Sequence, residues 1–474
     1  MNLPDATHED PRGHASMRVI LIAAAAALGG FLFGFDTAVI NGAVDALRQS
    51  FGLSAALTGF AVSCALLGSA LGAWYAGRLA DRFGRVHTMQ IAALLLAAGA
   101  LGAGLAGSVV SLIIWRVVAG IGVGVASVVA PAYIAEVSPA AIRGRLGSLQ
   151  QLAIVLGIFV ALLSDAWLAG AAGGASKTIW FGIAAWRWMF VVGVLPALIY
   201  GGLALTVPES PRHLVAKGRS DEALGVLRKV LGLHEEAALR QKLSDIEDSL
   251  RGEHKPAWRD LRGSAGGLLP IVWVGIALSM FQQFVGINVI FYYSSTLWHS
   301  VGFSESNAFT ITVATSVVNV LVTLVAIALV DKIGRKPLLL IGSAGMAITL
   351  AMMAWCFAEA TGSGAALSLP APWGPIALIA ANLYVVFFGV SWGPVVWVLL
   401  GEMFPNRIRA MALAVAAAAQ WLANFAITSS FPVMAQFSLP FSYGVYALFA
   451  VLSLVFVWRF VRETRGVELE NMAS

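Results

Sequence analysis

The chain contains 474 residues, of which 59% are hydrophobic and only 12% are charged. Together with a mean hydropathy of +0.83, this composition excludes a soluble enzyme and indicates an integral membrane protein that lies in a lipid bilayer. The formal net charge of +5 is explained by membrane topology, so we expect no nucleic acid partner.

Twelve apolar runs are long enough to cross a bilayer, which takes about 20 residues in a helix. The runs cover about 19–41, 55–77, 88–107, 109–134, 146–168, 183–207, 268–298, 306–330, 337–358, 373–401, 410–434 and 440–458. The first run is longer and richer in alanine than a cleaved signal, and Arg18 before it favours a cytoplasmic start. The pattern predicts an all-α membrane protein with both termini on the same side.

Arginine and lysine residues are concentrated in the loops on the face that would carry both termini. They are Arg78, Arg82, Arg85, Arg143, Arg145, Lys332, Arg335, Lys336, Arg407, Arg409, Arg459, Arg462 and Arg465. The other face has little beyond Arg48, Lys177 and Arg187. The positive-inside rule therefore makes the basic face cytoplasmic, and we expect a multi-pass protein of the bacterial inner membrane.

A polar segment at about 208–266 separates the first six spans from the last six. Leucines recur in it at helical spacing, first at positions 224, 227 and 231 and then from 239 to 250. This periodicity predicts two or three short amphipathic helices on the cytoplasmic face, and a solvated linker without a fixed place is the alternative. The expected division is a tail at 1–17, a six-helix half at 18–207, the helical linker at 208–266, a second half at 267–461 and a tail at 462–474.

Two motifs occur twice, six spans apart. The motif DRFGR at 81–85 follows the second span, and DKIGRK at 331–336 follows the eighth. A second motif, from Glu136 to Arg143, follows the fourth span and is repeated after the tenth, from Glu402 to Arg409. We interpret these as a parallel repeat of six-helix halves, an architecture that places a substrate between the halves near the bilayer midplane.

Three amide side chains lie inside one apolar run. Gln282, Gln283 and Asn288 occupy neighbouring turns of the span at 268–298, and an unpaired amide costs several kcal/mol in hydrocarbon. They must face a bundle interior or a water-filled cavity. Bonding between helices is the simpler explanation for a single amide, but three amides, each a donor and an acceptor, suit a neutral polyol such as a sugar.

Two opposite charges lie within the first half. Asp36 is deep in the first span and Arg116 is near the start of the fourth. A lone charge inside a membrane costs about 2.5 to 3.5 kcal/mol, so we predict that the two residues pair. The pair would either act as a proton switch when the halves rock or serve as a structural salt bridge.

The two cysteines do not indicate a disulfide or a metal site. Cys64 and Cys356 lie in apolar segments with no ligand spacing around them. A membrane enzyme would need a nucleophile, a metal cluster or paired acids, and we find none of these patterns near the amides. We therefore expect no cofactor and no enzymatic activity.

Several further motifs occur together in a fixed order. They are GRLADRFGR at 77–85, Arg116 with GIGVG at 120–124, Tyr133 to Gly144, PESPR at 208–212, Gln282 to Tyr293, Asp331 to Arg335, SWGP at 391–394, Glu402 to Arg409, QWLAN at 420–424 and ETRG at 463–466. With these motifs the chain resembles the sugar porter family of the major facilitator superfamily, from about Arg18 to Glu468. It is most similar to the bacterial proton-coupled xylose and glucose transporters within that family.

This resemblance implies the major facilitator fold and a sugar site with named contributors. They are Gln151, Gln282, Gln283, Asn288, Asn319, Trp392, Gln420 and Trp421, with Phe33 and Tyr292 as nearby walls. An acid stands at the position of Asp36 in the resembled proton symporters, whereas facilitative relatives often carry an amide there. An apolar Ile158 and a bulky Phe291 suit a hydroxymethyl-bearing hexose, so we expect glucose over xylose.

The repeated charges imply a network on the cytoplasmic face that cannot reach a midplane sugar. Its members are Asp81, Arg85, Glu136, Arg143, Glu209, Arg212, Asp331, Arg335, Glu402 and Arg409. We interpret the network as a latch that forms when the cytoplasmic side closes, and topology-setting charge is the compatible alternative. Gly393 and Pro394 predict a kink or hinge in the tenth span.

We expect a monomeric, proton-coupled monosaccharide importer that works by alternating access, with a sugar and a proton as its small partners. The main alternative is an uncoupled facilitative uniporter. A sugar sensor would be expected to carry a long signalling tail, and a drug exporter would be expected to have a broad apolar pocket rather than amides and indoles.

Overall fold

The computed structural model describes residues 17–138, 143–231, 236–252, 258–263, 267–362, 367–405 and 408–464. Within these residues, twelve stretches of helix are long and apolar enough to cross a membrane. The predicted all-α class with twelve transmembrane spans is therefore confirmed.

The first six spans contain eight helices. They are α1 (Met17–Ala38) with α2 (Ile40–Phe51), α3 (Ala55–Phe83), α4 (Arg85–Gly104), α5 (Val109–Val137), α6 (Arg143–Ala172), and α7 (Ala185–Val192) with α8 (Val194–Ala204). The segment between the halves contains α9 (Pro211–Ala216), α10 (Ser220–Leu231), α11 (Glu236–Gly252) and the 3-10 turn Trp258–Leu261. The helices predicted from its leucine spacing are thus present.

The last six spans also contain eight helices. They are α12 (Pro270–Phe284) with α13 (Ile287–Ser300), α14 (Glu305–Ile333), α15 (Arg335–Ala358), α16 (Trp373–Val390) with α17 (Trp392–Met403), α18 (Arg409–Phe437) and α19 (Leu439–Phe460). Because the number of spans is even, Met17 at the start of α1 and Phe460 at the end of α19 lie at the same face of the bundle, which we call the terminal face. The opposite face is the one at which α2 ends at Phe51 and α13 ends at Ser300.

Four spans consist of two helices, and proline explains two of the breaks. Pro196 and Pro394 lack an N–H and clash with the carbonyl four residues earlier, so the helix stops at Val192 in span 6 and at Val390 in span 10. The break in span 10 lies where the Gly393 and Pro394 pair predicted it. Span 1 is interrupted at Val39 and continues to Phe51. It therefore extends ten residues beyond the predicted apolar run, because α2 ends in polar residues.

The repeated motif has the same backbone in both halves. Gly84 follows α3 with φ 92° and ψ 167°, and Gly334 follows α14 with φ 102° and ψ 163°. L-residues with side chains rarely adopt a φ in this range, so glycine allows one span to end and the next to begin at the following residue. The sequence repeat is therefore also a structural repeat.

The two halves meet along pairs of spans that obey this repeat. Helix α3 of span 2 packs against α18 of span 11, and α6 of span 5 packs against α14 of span 8. Spans 2 and 8 are equivalent under the repeat, as are spans 5 and 11, so the contacts are related by a pseudo-twofold axis. The space between the halves lies at this axis.

Candidate functional site

The amides of span 7 form a hydrogen-bonded chain with an amide of span 11. Asn288 Nδ2 donates to Gln283 Oε1 at 2.6 Å, and Gln283 Nε2 donates to Gln282 Oε1 at 3.3 Å. Gln420 Nε2 also donates to Gln282 Oε1, and Gln282 Nε2 donates to the Trp392 carbonyl at 2.8 Å. The resemblance implied all four amides as sugar contacts, and the structure brings them together.

The chain of amides ends in an acceptor that has no partner. Gln420 Oε1 is buried and lacks a hydrogen-bond partner among the described residues. A buried polar atom without a partner is rare in proteins and commonly marks a place where water or a ligand binds. This oxygen is placed to accept a hydrogen bond from a hydroxyl group of a ligand between the halves.

A break in span 7 positions the amides, and the sequence did not predict it. Helix α12 ends at Phe284, and Gly286 adopts φ 85° before α13 begins at Ile287. The Tyr446 ring lies where a side chain at Gly286 would be, and the Tyr384 hydroxyl donates to the freed Val285 carbonyl at 2.7 Å. Broken helices of this kind line binding cavities in transporters because their backbone groups can be satisfied by protein there.

Aromatic side chains close the space between the halves. The Phe33 ring of span 1 lies 5.5 Å from the Trp421 ring of span 11, centroid to centroid. Tyr292 interacts with Thr37 of the first half and with Asn424 of the second half. The predicted walls Phe33 and Tyr292 therefore do contact both halves.

The remaining predicted contributors differ in their exposure. Asn319 is buried within the second half, and Gln151 is half-buried in span 5. Trp392 is fully buried, and its Nε1 donates to Ser343 Oγ at 2.9 Å, inside the second half. The indole N–H of Trp392 is therefore engaged away from the space between the halves. Trp397, five residues later on the same helix, is 43% exposed.

The predicted ion pair of the first half is present. Arg116 Nη1 lies 3.4 Å from Asp36 Oδ2 and donates to the Asp36 carbonyl at 3.2 Å, and both side chains are buried. The guanidinium also lies 5.7 Å from the Phe190 ring centroid. A cavity of about 10 Å³ adjoins the pair, which is about the space that one water molecule needs. Among the residues that the structure describes, the buried carboxylate has one cationic partner, and there is room for water beside it.

The charges of the terminal face form one cluster in each half. Arg85 bonds Glu136 at 2.8 Å and lies 3.5 Å from Asp81, while Arg335 bonds Glu402 at 2.8 Å. Arg212 also has an interaction partner. The side chains of Arg143, Asp331 and Arg409 lie outside the part of the chain that the structure describes.

Two glutamates anchor these clusters to helix starts. Glu209 accepts the backbone N–H groups of Arg85 and Val86, at 2.9 and 3.2 Å. Glu463 accepts those of Arg335 and Lys336, both at 3.0 Å. Glu463 was absent from the predicted network, although its motif ETRG parallels PESPR at Glu209, and this parallel was the signal that could have found it.

A histidine joins the cluster of the first half. His213 Nδ1 lies 3.4 Å from Arg85 Nη1. Burial lowers the pKa of His213, and nearby Glu209 partly opposes this effect. The neutral imidazole can then accept a hydrogen bond from the guanidinium.

Polar contacts at the opposite face join the halves, and sequence reasoning missed them. Asn41 Nδ2 donates to the Phe291 carbonyl at 2.9 Å, and Ser295 Oγ donates to the Asn41 carbonyl at 2.9 Å. Nearby, the Ala175 N–H donates to Glu305 Oε1 at 2.8 Å. The opposite face is therefore closed in this conformation.

One further acid is buried in the first half. Asp165 of α6 is fully buried, its Oδ2 accepts the Gly42 N–H at 3.2 Å, and its Oδ1 has no partner among the described residues. Gly42 leaves no room for a side chain beside this carboxyl. Asp165 thus ties α6 to α2 next to Asn41.

Comparison with known proteins adds a family and several relatives. Residues 22–474 match the family model described as sugar (and other) transporter. A glucose transport protein of Synechocystis sp. is 57% identical over 456 residues, which cover 96% of this chain and 97% of that protein. A D-xylose-proton symporter of Escherichia coli (strain K12) is 40% identical over 97% of this chain and 96% of its own length.

Solved structures of the xylose transporter XylE from E. coli have a similar fold. Its partially occluded inward open conformation matches with a TM-score of 0.82 at 39% identity, over 96% of this chain and 100% of that chain. The proton:xylose symporter XylE bound to 6-bromo-6-deoxy-D-glucose matches with a TM-score of 0.78 at 39% identity, over 97% and 99% of the two chains.

Proposed function

The chain belongs to the family of sugar (and other) transporters, and we propose that it is a proton-coupled monosaccharide importer that works by alternating access. The observation that carries the proposal is the chain of four amides in spans 7 and 11, which ends in the unpartnered Gln420 oxygen. Amides both donate to and accept from sugar hydroxyls. The family describes transporters, in line with the expectation that the chain is not an enzyme.

Proton coupling would be carried by Asp36 and Arg116. The carboxylate is buried beside the Arg116 guanidinium and a water-sized cavity, so protonation would release Arg116 from the pair. A proton that moves through 100 mV supplies about 2.3 kcal/mol, enough for roughly 50-fold accumulation of a neutral sugar. Relatives named as D-xylose-proton and arabinose-proton symporters support this assignment.

The favoured sugar is a hexose, and D-glucose in particular. Ile158 is half-buried and Phe291 is buried, and neither offers a hydrogen bond from its side chain to a further hydroxyl. The relative that is 57% identical is named a glucose transport protein, which supports glucose over xylose. Its name does not mention a proton, so an uncoupled uniporter is the second candidate.

The terminal face would be cytoplasmic and the protein would act as a monomer in the bacterial inner membrane. The basic loops lie on this face, in line with the positive-inside rule. The segment at 208–266 would connect the halves there. The ion pairs of the two charge clusters lie within single halves and are formed in this structure, so the latch would form when closure of the cytoplasmic side brings the two clusters against each other. With the opposite face closed, this structure would represent an inward-facing conformation.

The proposal is tested by uptake of labelled glucose and xylose into proteoliposomes under an imposed proton gradient. The native protein should accumulate glucose against its gradient, whereas Asp36→Asn should only exchange it by counterflow. Asp221→Asn on the exposed surface of α10 is the matched control and should accumulate glucose like the native protein. If native and Asp36→Asn proteins equilibrate sugar alike without accumulation, the protein is a uniporter and the ion pair is structural.

A further inference from the structure

A histidine and an aspartate face each other across the two halves at the opposite face. His299 near the end of α13 belongs to the second half, and Asp45 of α2 belongs to the first half. The distance from His299 Nδ1 to Asp45 Oδ2 is 3.5 Å. The side chains are 52% and 36% exposed, so solvent reaches both. The pair therefore joins the halves where protons from the surrounding medium have access.

The two residues lie at the edge of a polar cavity of about 230 Å³ between the halves. Lys177, from the loop between α6 and α7, and Glu305 of α14 also line this cavity. On α2, Arg48 adds a positive charge that acts on Asp45. His299 thus faces charges of both signs, and Asp45 lies within ion-pair distance of it.

The Asn41 contacts between the halves at this face do not depend on a titrating group, whereas the Ala175 contact ends on the Glu305 carboxylate. Asn41 bonds to the Phe291 carbonyl and to Ser295 through amide, hydroxyl and backbone groups. These groups stay uncharged across physiological pH. Histidine changes its charge between about pH 5 and pH 8. A neutral imidazole makes at most a hydrogen bond to Asp45, whereas an imidazolium makes an ion pair.

We propose that Asp45 and His299 form a proton-responsive latch, in which protonation of His299 from the external medium holds the external side of the transporter closed. The inference rests on the proposed function, because a latch between the halves matters only if they alternate. The latch is distinct from the Asp36 and Arg116 pair, which lies inside the first half. A proton on His299 returns to the side it came from, so it shifts the conformational equilibrium without adding to the driving force.

The direction of the effect follows from the charges. Acidification of the exterior creates the ion pair and favours closure, the step that follows loading from outside. Exposed ion pairs contribute about 0.2 to 1 kcal/mol, so the ratio of closed to open protein should change by about 1.4-fold to fivefold. Alkaline medium should release the latch and leave the neutral Asn41 contacts in place.

The latch is tested by the distance between spin labels at the external ends of the halves. Gly107→Cys and Ser306→Cys suit the labels, because both positions are exposed and a Cβ at Gly107 meets no other atom. The native Cys64 and Cys356 are buried and need no replacement. The series is measured on the Asp36→Asn background, which removes the pH response of the proposed coupling acid.

Between pH 8 and pH 5.5, protein with His299 should shift toward the short-distance, closed population. His299→Lys should remain closed at both pH values, and His299→Gln should remain more open at both. The exchanged pair, Asp45→His with His299→Asp, should restore the pH response. This result would show that the single variants lose the pH response for a reason other than misfolding. The proposal is overturned if the label distance in His299→Gln changes with pH as it does in the parent. It is also overturned if the label distance in the exchanged pair does not change with pH while His299→Gln retains sugar counterflow.

The label distances do not depend on which sugar is carried. A pH-dependent distance without sugar counterflow would overturn the proposed function and support the latch. Counterflow with pH-independent distances in protein that keeps His299 would support the proposed function and overturn the latch. The two failures can therefore be told apart.

Discussion

The Glu463 carboxylate accepts the backbone N–H of Arg335 at 3.0 Å, and this bond ties the segment after the last span to the first turn of α15. Glu209 makes the equivalent bond to Arg85 at the start of α4. The first N–H groups of a helix have no partner within the helix, and an acidic side chain there also interacts favourably with the helix dipole. Each glutamate thus caps a span whose start is fixed by a positive-φ glycine.

We expect Glu463→Ala to lower the free energy of unfolding by about 0.5 to 2 kcal/mol, because a lost helix cap typically costs this much. Glu209→Ala should have an effect of the same size, since its bonds are equivalent. The measurement is the thermal unfolding midpoint of purified protein in detergent. Glu222→Ala, an exposed glutamate on α10, is the control and should change the midpoint little. Equal midpoints for Glu463→Ala and Glu222→Ala would refute the capping role.

Gln420 is the amide whose oxygen lacks a partner, so its replacement should weaken sugar binding directly. Gln420→Leu removes this acceptor and the donor to Gln282, and we expect the KM for glucose exchange to rise about tenfold or more. Gln241→Leu makes the same change on the exposed surface of α11, where Gln241 bonds Asp245. Its KM should stay within twofold of the native value. An unchanged KM in Gln420→Leu would place the sugar elsewhere.

The two tryptophans of α17 should separate binding from stability. Trp392→Phe removes the bond to Ser343 inside the second half, so we expect a loss of about 1 to 2 kcal/mol in unfolding free energy and a KM within twofold of native. Trp397→Leu removes an exposed aromatic face, and we expect the KM to rise about threefold to tenfold with little change in stability. The opposite pattern would show that Trp392 contacts the sugar, as the resemblance implied.

The sequence predicted the number of spans well because a bilayer imposes a length and polarity on each of them. It predicted the break near Pro394 because proline has a fixed backbone effect. It did not predict the break at Gly286, since glycine within an apolar run does not interrupt the pattern of hydropathy. That break depends on Tyr446 and Tyr384, which lie about 100 residues or more away along the chain.

At the candidate site, too, the sequence predicts which residues take part but not how packing orients and pairs them. Three of the four amides could be identified because any amide inside hydrocarbon needs a partner, and the fourth, Gln420, was identified through the resemblance. The direction in which Trp392 points could not be predicted, because depth in a span does not fix which side of the helix faces a cavity. Residues 392 and 397 lie about 140° apart around a helix. Asp45 lies in the middle of α2 and His299 lies near the end of α13, and only the packing of the two halves brings them together.

The closed opposite face depends on a close approach of two backbones. Gly59 of α3 belongs to the first half, and a Cβ at this position would lie 2.0 Å from the Ser429 carbonyl oxygen of α18 in the second half. Backbone atoms cannot move aside as a flexible side chain can. We therefore expect Gly59→Ala to separate spans 2 and 11 at this face and to favour the conformation that is open there.

Overpacking typically costs about 1 to 3 kcal/mol, so Gly59→Ala should raise the ratio of open to closed protein by about fivefold or more. The distance between labels at Gly107→Cys and Ser306→Cys measures this ratio. Gly68→Ala is the matched control, because its Cβ would lie 2.3 Å from the Val117 carbonyl within the first half. That change should lower the unfolding midpoint without altering the ratio. If both substitutions shifted the ratio equally, general loosening of the bundle, rather than contact between the halves, would set the conformation.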